Sequence, residues 1–387
     1  MSEPLKLDLG AWDVSPPGFK ALGHKHGSEI YPLPYGDASV DEVRASHVLE
    51  HFPHGQTADV LKEWVRVLKP GGRLRVAVPD FGQAADKYTA GEPVEIQKYV
   101  MGGQTDDDDF HKAIFDREHL KRALSEAGLV MLREWKSELP DCASLPISLN
   151  LEGTKPFVDS LKVCAAMSVP RLGFLDNFFC AFEAFVPLGI KLRKNGGAFW
   201  GQSLTKCLEK ILEEDNPDAV LTLDYDSVFT PAHVSRLIQL MMVHPEADAL
   251  APIQSSRHRE TALFTAKGED GKNVDRVPLS DFEPDLKRVS TAHFGLTLLR
   301  ADKLKALQKP WFHSIPASDG TWNEGHVDED IAFWENWAAC GNSLYLANRV
   351  PIGHMEVMVR WPGKDLKAFM QPMHEFNVGG PPEGVWK

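Results

Sequence analysis

The sequence of 387 residues has few cysteines and no long apolar run. Its five cysteines are scattered and form no C-x-x-C pair, so neither a disulfide scaffold nor a zinc knuckle is expected. No apolar stretch approaches the roughly 20 residues of a membrane span, and the N-terminus lacks a basic segment followed by an apolar one. We therefore expect a cytoplasmic protein without a membrane span. The most apolar stretch, residues 172–190, is interrupted by polar residues and predicts a buried helix followed by a loop.

Positive charge is also scarce. Lys and Arg number 42 against 55 Asp and Glu, giving a formal net charge of −13. A broad electrostatic grip on nucleic acid is therefore disfavoured. An acidic enzyme that binds a nucleotide diphosphate normally needs a divalent cation to manage the combined negative charge.

Two stretches alternate strand-like and helix-like segments, which is typical of α/β folds with parallel sheets. Residues 137–156 lie between them, lose the periodicity and contain three prolines. The sequence therefore predicts two α/β domains, residues 1–136 and 157–387, joined by a linker over residues 137–156.

The first domain carries three characteristic segments: LPYGDASVDEVRASHVLEHF, VLKEWVRVLKPGGRLRVAVPDF and FDREHLKRALSEAGLVMLREW. Together they resemble class I methyltransferases that use S-adenosylmethionine, over about residues 5–135. Such enzymes cradle the cofactor with a glycine-rich turn after the first strand, because glycine allows the backbone to approach closely. Here that turn keeps only Gly10 and is followed by Trp12, and the usual second strand with its acidic residue is not evident.

We therefore interpret residues 1–136 as an incomplete Rossmann-like domain without methyl transfer, used for scaffolding, dimerisation or acceptor binding. The alternative is unusual cofactor binding near Asp8, Asp37 and His47. The string from His47 to His51, with Glu50, also matches the H-x-x-E-H pattern of inverted zinc proteases. That pattern needs a helix to bring both histidines to one zinc, whereas this string follows a predicted strand, so we interpret it as the strand end.

Two aspartates stand out in the second domain. Asp224 and Asp226 follow the apolar run 219–223, which predicts a buried strand. Alternation along an extended chain sends both carboxylates to one side, at the sheet edge where α/β proteins bind ligands. Paired carboxylates hold Mn²⁺ or Mg²⁺, and the cation neutralises charge that builds on a leaving diphosphate.

The order of three further segments supports this interpretation: DAVLTLDYDSVFTPAHVSRLIQLM, HFGLTLLRADKLKAL and VDEDIAFWENWAACGNSLYLANRVPIGHM. Over roughly residues 159–358 they resemble GT-A glycosyltransferases. The resemblance implies a GT-A type α/β domain that uses a nucleotide-diphosphate sugar as donor and Mn²⁺ or Mg²⁺ as cofactor.

The resemblance also implies roles for individual residues. Asp224 and Asp226 would bind the metal and the sugar nucleotide, with His354 as a further ligand. Asp330 would deprotonate the acceptor hydroxyl, with Glu329 and Asp328 as competitors. The structural alternatives are a strand-end histidine and acids that only favour a helix N-terminus.

The nucleotide pocket is predicted from position after the first strand and at a Gly-Gly turn before a helix. Its candidates are Ser168, Pro170, Arg171, Gly196, Gly197 and Gln202. Trp311, Trp322 and Trp334 could stack on a sugar, although tryptophans more often serve the core.

The resulting hypothesis is a metal-dependent glycosyltransferase that transfers a sugar to an acceptor hydroxyl with inversion. The acceptor is open among a glycan, a small molecule, a protein and a modified nucleic-acid base, the last disfavoured by charge. The alternatives are a nucleotidyltransferase that uses the same carboxylates, an active S-adenosylmethionine-dependent methyltransferase, and a binding module without catalysis.

Overall fold

The computed structural model describes residues 3–11, 15–106, 109–169, 173–256, 261–266 and 277–386. The chain divides into two compact units. The first is Met1–Asp159 with Met242–His244, and the second is Ser160–Met241 with Pro245–Lys387. Each unit combines helices with its own main sheet, which confirms the predicted α/β fold class.

Six strands of the first unit form one sheet within the described residues. They are β1 (Lys6–Leu9), β2 (Phe19–Leu22), β3 (Val40–Ser46), β4 (Leu68–Pro79), β5 (Val130–Glu134) and β6 (Ser148–Thr154). Their order is β2-β1-β3-β4-β6-β5. The first four are parallel, whereas β6 runs antiparallel to both of its neighbours.

Two parts of this sheet correct the sequence prediction. The second strand that we judged missing is present as β2, which pairs in parallel with β1 from Lys6↔Phe19 to Leu9↔Leu22. The predicted linker over residues 137–156 contains β6, which is inserted between β4 and β5. The first unit therefore continues to Asp159.

The helices of the first unit cover the sheet and contribute to its core. They are α1 (Thr57–Val67), α2 (Phe81–Thr89), α3 (Ile96–Met101) and α4 (Arg117–Glu126). Helix α1 buries the apolar face that its spacing predicts, including Leu61 and Trp64, both at 0% exposure. Both side chains belong to the core cluster that packs on β1, β3 and β4.

The second unit contains twelve further strands among the described residues. In chain order they are β7 (Val163–Val169), β8 (Lys191–Gly196), β9 (Ala219–Leu223), β10 (Ser227–Val228), β11 (Ala249–Gln254), β12 (Phe264–Thr265), β13 (Leu286–Arg288), β14 (Thr291–Ala292), β15 (Leu298–Arg300), β16 (Leu344–His354), β17 (Met358–Pro362) and β18 (Ala368–Pro372). The main sheet has the order β10-β16-β11-β15-β9-β7-β8, with β13 also paired to β16. Strands β12 and β14, and β17 and β18, form separate two-stranded sheets.

In the described residues this part of the chain has six α-helices: α5 (Leu175–Phe185), α6 (Trp200–Glu214), α7 (Pro231–Val243), α8 (Ala301–Ala306), α9 (Glu329–Ala339) and α10 (Met373–Gly379). Helix α7 follows the segment of Asp224 and Asp226, and α9 begins directly after Asp328.

Helix α5 corrects the expectation of a buried helix, because Leu175, Phe178, Phe179 and Phe182 are 51–68% exposed. Across the described part of the chain, no helix combines the length and apolar character that crossing a membrane requires.

The parallel strands β8, β7 and β9 fix where the candidate site lies. In the register of β7 and β9, Met167 stands opposite Leu223. Ser168 and Asp224, the next residues of the two segments, therefore reach the same edge of the sheet. This is the edge at which open α/β sheets bind ligands.

Candidate active site

The two aspartates of the second unit lie in the tight connection between β9 and β10. The β9 strand is buried along its whole length, so it delivers Asp224 and Asp226 to the sheet edge. Strand β10 then pairs antiparallel with the end of β16, with Ser227 opposite His354. This pairing places His354 beside Asp226, although the two residues are far apart in the sequence.

Two of the three predicted metal ligands, Asp226 and His354, lie in contact, and the charges of both act on the third, Asp224. His354 Nε2 lies 3.4 Å from Asp226 Oδ2, and Asp226 is only 3% exposed. His354 Nδ1 lies 3.0 Å from the carbonyl oxygen of Ser255. A carbonyl only accepts, so Nδ1 carries the proton and Nε2 is the atom directed at the carboxylate.

Asp224 is held by two residues that the sequence analysis did not identify. The indole N–H of Trp200, at the start of α6, donates to Asp224 Oδ1 at 3.0 Å. Asn177, fully buried on α5, donates to the backbone carbonyls of Asp224 at 2.9 Å and Ser227 at 2.7 Å. The sequence signal for Trp200 is a tryptophan three residues after the Gly-Gly turn.

Negative charge is concentrated at this edge. Burial raises the pKa of Asp224 to about 6, the Trp200 hydrogen bond opposes the rise, and the charges of Asp226 and Asp330 add to it. Burial also raises the pKa of Asp330 above its ordinary value. Asp330, at the start of α9, therefore lies close enough to Asp224 for their charges to interact.

The three acids at the start of α9 have different surroundings. Glu329 Oε2 accepts the backbone N–H of Gly201 at 2.8 Å, which ties α9 to the first turn of α6. Asp328 precedes the helix and lies 3.2 Å from His326 Nε2. Asp330 Oδ1 accepts the N–H of Ile331 at 2.9 Å and is the acid whose charge reaches Asp224.

A buried histidine, His293, fixes the backbone of the loop before β15. His293 Nε2 lies 2.8 Å from the carbonyl oxygen of Pro252, and its Nδ1 accepts the N–H of Gly295 at 3.0 Å. Burial lowers the pKa of His293 to about 4, so this ring is neutral near pH 7. It orders the loop before β15, where Gly295 passes close to Ser227.

The nucleotide-pocket candidates are only partly brought together. Ser168 is 4% exposed and its hydroxyl donates to the carbonyl of Trp200 at 3.2 Å, so it fixes the start of α6. Gly197 packs against Ser203, and Gln202 is exposed on the first turn of α6. Pro170 and Arg171 lie outside the described residues.

The three tryptophans suggested for sugar stacking differ in their exposure to solvent. Trp311 and Trp334 are 2% and 1% exposed and belong to the core, whereas Trp322 is 61% exposed.

The first unit presents a different cavity, of about 490 Å³, at the carboxyl ends of β1 and β3. Gly10, Gly23, Glu29 and His47 are among its lining residues. His47 lies at the end of β3, where its Nε2 is 2.9 Å from Ser148 Oγ. It therefore belongs to a strand end, as we interpreted it.

Comparison with known proteins concerns mainly the first unit. Residues 18–76 match the family model described as a methyltransferase domain. No curated protein matches the chain. The family match supports the resemblance of the N-terminal region to methyltransferases, and it favours the alternative of a methyltransferase-like transferase over a domain without methyl transfer.

Solved structures are similar only at low identity. A197 from STIV is 14% identical with a TM-score of 0.36, covering 54% of this chain and 94% of A197. A possible histamine N-methyltransferase from Thermotoga maritima is 18% identical with a TM-score of 0.26, covering 40% and 84%. GalNAc-T7, solved with UDP, GalNAc and Mn²⁺, is 11% identical with a TM-score of 0.35, covering 50% and 44%. These scores are too low to support a functional conclusion.

Proposed function

We propose that the second unit is a metal-dependent glycosyltransferase, which moves a sugar from a nucleotide-diphosphate donor to an acceptor hydroxyl with inversion. The observation that carries the proposal is the pairing of β10 with β16, which sets His354 Nε2 3.4 Å from Asp226 Oδ2 beside Asp224. Two carboxylates and one imidazole form a donor set that suits Mn²⁺. Mg²⁺ would be bound by the carboxylates alone and would keep more of its water ligands.

The surroundings of these residues fit a cation. Burial raises the pKa of Asp224 to about 6, and repulsion from the charges of Asp226 and Asp330 adds to the rise. A divalent cation would offset that repulsion. When bound, it would stabilise the negative charge of the departing nucleotide diphosphate. Trp200 would fix the orientation of the Asp224 carboxylate.

Asp330 is our candidate for the general base that takes the proton of the acceptor hydroxyl. Burial raises the pKa of Asp330 towards pH 7, and a general base is most effective when its pKa lies near the pH at which it works. Glu329 is occupied by the N–H of Gly201, and Asp328 faces His326 outside the helix. These two acids therefore have positioning and surface roles in the proposal.

The donor would approach along the edge formed by the ends of β7, β8 and β9. Ser168, Gly197 and Gln202 are the described residues that we assign to the nucleotide side. Pro170 and Arg171 complete the assignment from the sequence.

The test is a panel of nucleotide sugars with Mn²⁺, measured by thermal shift and by release of the nucleotide diphosphate. One donor should stabilise the wild-type chain and be hydrolysed slowly, and Asp226→Asn should lose both effects. Asp302→Asn, which changes an exposed aspartate of α8, is the matched control and should behave as wild type. Absence of any response to nucleotide sugars in the wild type would reject the proposal.

A second candidate is S-adenosylmethionine-dependent methyl transfer in the first unit. It is favoured by the family match over residues 18–76 and by the cavity at the ends of β1 and β3. Strand β2 leads into Gly23, His24 and Lys25, so the acid nearest in sequence on this side of the cavity is Glu29. S-adenosylmethionine in the same thermal-shift panel tests this candidate, and Glu29→Gln should abolish its effect.

A further inference from the structure

We propose that Glu50, His51 and His111 of the first unit form a binding site for a divalent transition-metal ion, with Zn²⁺ as the representative. One ligand atom from each of these residues lies within 4.8 Å of the other two. No second group among the described residues meets that criterion, so this set is more closely gathered than Asp224, Asp226 and His354. The site is independent of the glycosyltransferase proposal.

Both histidines are oriented as metal ligands usually are. His51 Nδ1 lies 3.2 Å from the carbonyl oxygen of Phe110, and His111 Nδ1 lies 3.0 Å from that of Tyr99. Because carbonyl oxygens only accept, each Nδ1 carries the proton and each Nε2 presents its lone pair. A backbone acceptor that fixes the tautomer in this way is the common support of a metal-bound imidazole.

Glu50 supplies an independent observation that points to a cation. Its side chain is 1% exposed, yet neither carboxylate oxygen accepts a hydrogen bond. The nearest basic group is His47 Nδ1, 3.3 Å from Oε1. A buried carboxylate without hydrogen bonds is costly, and a coordinated cation would remove that cost.

The backbone holds the ligands together across a long sequence separation. The carbonyl oxygen of Glu50 accepts the N–H groups of Lys112 at 2.7 Å and Ala113 at 3.1 Å. These bonds fix the segment that carries His111 beside the 3-10 helix Leu49–His51, and the two imidazole rings lie 5.1 Å apart. The site therefore needs little reorganisation to accept an ion.

The donor set and the cavity define the kind of ion. Two imidazoles and one carboxylate suit Zn²⁺ or Fe²⁺ rather than Ca²⁺ or Mg²⁺. All three residues line the cavity of about 490 Å³, which leaves room for a further ligand on the ion. Asp109, on the same wall, is close enough to His51 for their charges to interact. Glu50 and His51 of the H-x-x-E-H string are thus ligands in this proposal, whereas His47 is not.

The test uses the full chain with Asp226→Asn, so that the second unit does not contribute its own metal site. Zn²⁺ binding is measured by calorimetric titration and by elemental analysis, and one equivalent is expected. His51→Ala and His111→Ala should each weaken binding at least about tenfold, since even loss of a ligand's supporting hydrogen bond has an effect of that order. His54→Ala, which removes an exposed histidine nearby in sequence, should leave it unchanged.

Glu50→Gln separates ligation from folding. The variant keeps the side-chain volume and removes the buried charge, so its metal-free melting temperature should equal or exceed that of the parent. Zn²⁺ should raise the melting temperature of the parent and not of the variant. Zn²⁺ affinity that is the same in the parent and in the His51, His111 and Glu50 variants would overturn the proposal. A metal-free melting temperature lowered by Glu50→Gln, with Zn²⁺ binding intact, would overturn it as well.

Discussion

Each unit has an aspartate near the carboxyl end of a parallel strand, but the groups that surround the two carboxylates differ. Asp8 on β1 is 1% exposed and accepts the guanidinium of Arg44 at 2.8 Å. Asp224 follows β9 and has an indole N–H on one oxygen and two further acids nearby. In the first unit the counter-ion of the aspartate is an arginine side chain of the same chain. In the second unit several acids lie together, as they do in sites that bind a cation from solution.

The effects on proton affinity follow this difference. Asp141, the second partner of Arg44, experiences burial that alone would raise its pKa. Hydrogen bonds from Ser137, Arg44 and Ser46 outweigh burial and hold the pKa below its ordinary value. At Asp224 burial prevails and the pKa is about 6. The structural ion pair of the first unit therefore favours the ionised carboxylate of Asp141, whereas burial at the candidate site favours the protonated form of Asp224.

The largest effect should come from removing the counter-ion of the first unit. Arg44→Met leaves Asp8 and Asp141 without their shared cation, and loss of one partner of a buried pair costs about 3–5 kcal/mol. Denaturant unfolding should show this loss in the transition of the first unit. Asp226→Asn removes one of several neighbouring negative charges, so it should retain or raise the metal-free stability of the second unit.

Arg122→Met is the control for that experiment, because Arg122 is exposed on α4 and should change stability by no more than about 0.5 kcal/mol. An Arg44→Met chain as stable as this control would contradict the contrast between the two units.

The next effect concerns catalysis at the start of α9. Asp330→Asn should lower kcat at least about 100-fold while Mn²⁺ affinity is retained, because a general base contributes a factor of this order or more. Glu329→Gln keeps an acceptor for the N–H of Gly201 and should lower kcat much less. Steady-state kinetics with the responsive donor measures both. The reverse ranking would transfer the role of base to Glu329.

A smaller effect should follow from the close packing that holds the acidic edge together. A Cβ on Gly201 would overlap Glu329 Oε2 and lie 2.7 Å from Phe312 Cβ. Gly201→Ala should therefore cost about 1–3 kcal/mol in the unfolding of the second unit. Gly379→Ala, where a Cβ meets no atom within 4 Å, is the control. Equal stability of the two variants would show that α6 and α9 adapt without strain.

The sequence predicted local features of this site well. Buried strand β9 and the two aspartates that follow it are one continuous segment, whose composition is visible in a single window. Trp200 and Asn177 were missed because their contacts with Asp224 depend on how α6 and α5 close over the sheet. The resemblance, rather than local pattern, pointed to His354.

The errors in the first unit have a similar cause. Strand β6 was mistaken for linker because prolines precede it and its pairing partners, β4 and β5, lie earlier in the chain. Strand β2 has only four residues, too few for a clear alternation. Both strands are defined by long-range pairing, which composition does not record.

The smallest effect is a pH dependence that belongs to the second unit. Because burial raises the pKa of Asp224 to about 6, a proton competes with the cation below that pH. Mn²⁺ affinity should therefore be nearly constant above about pH 7 and fall about tenfold per unit below about pH 6. Calorimetric titration between about pH 5 and about pH 8 measures it. Asp224→Asn, which has no proton to lose at this position, should bind Mn²⁺ more weakly and should show no fall in affinity near pH 6.

A wild-type affinity that first falls near pH 4, the ordinary range of an aspartate, would mean that the Asp224 carboxylate is as well stabilised as an exposed one. The contrast with Asp8 would then rest on the ion pair of the first unit alone.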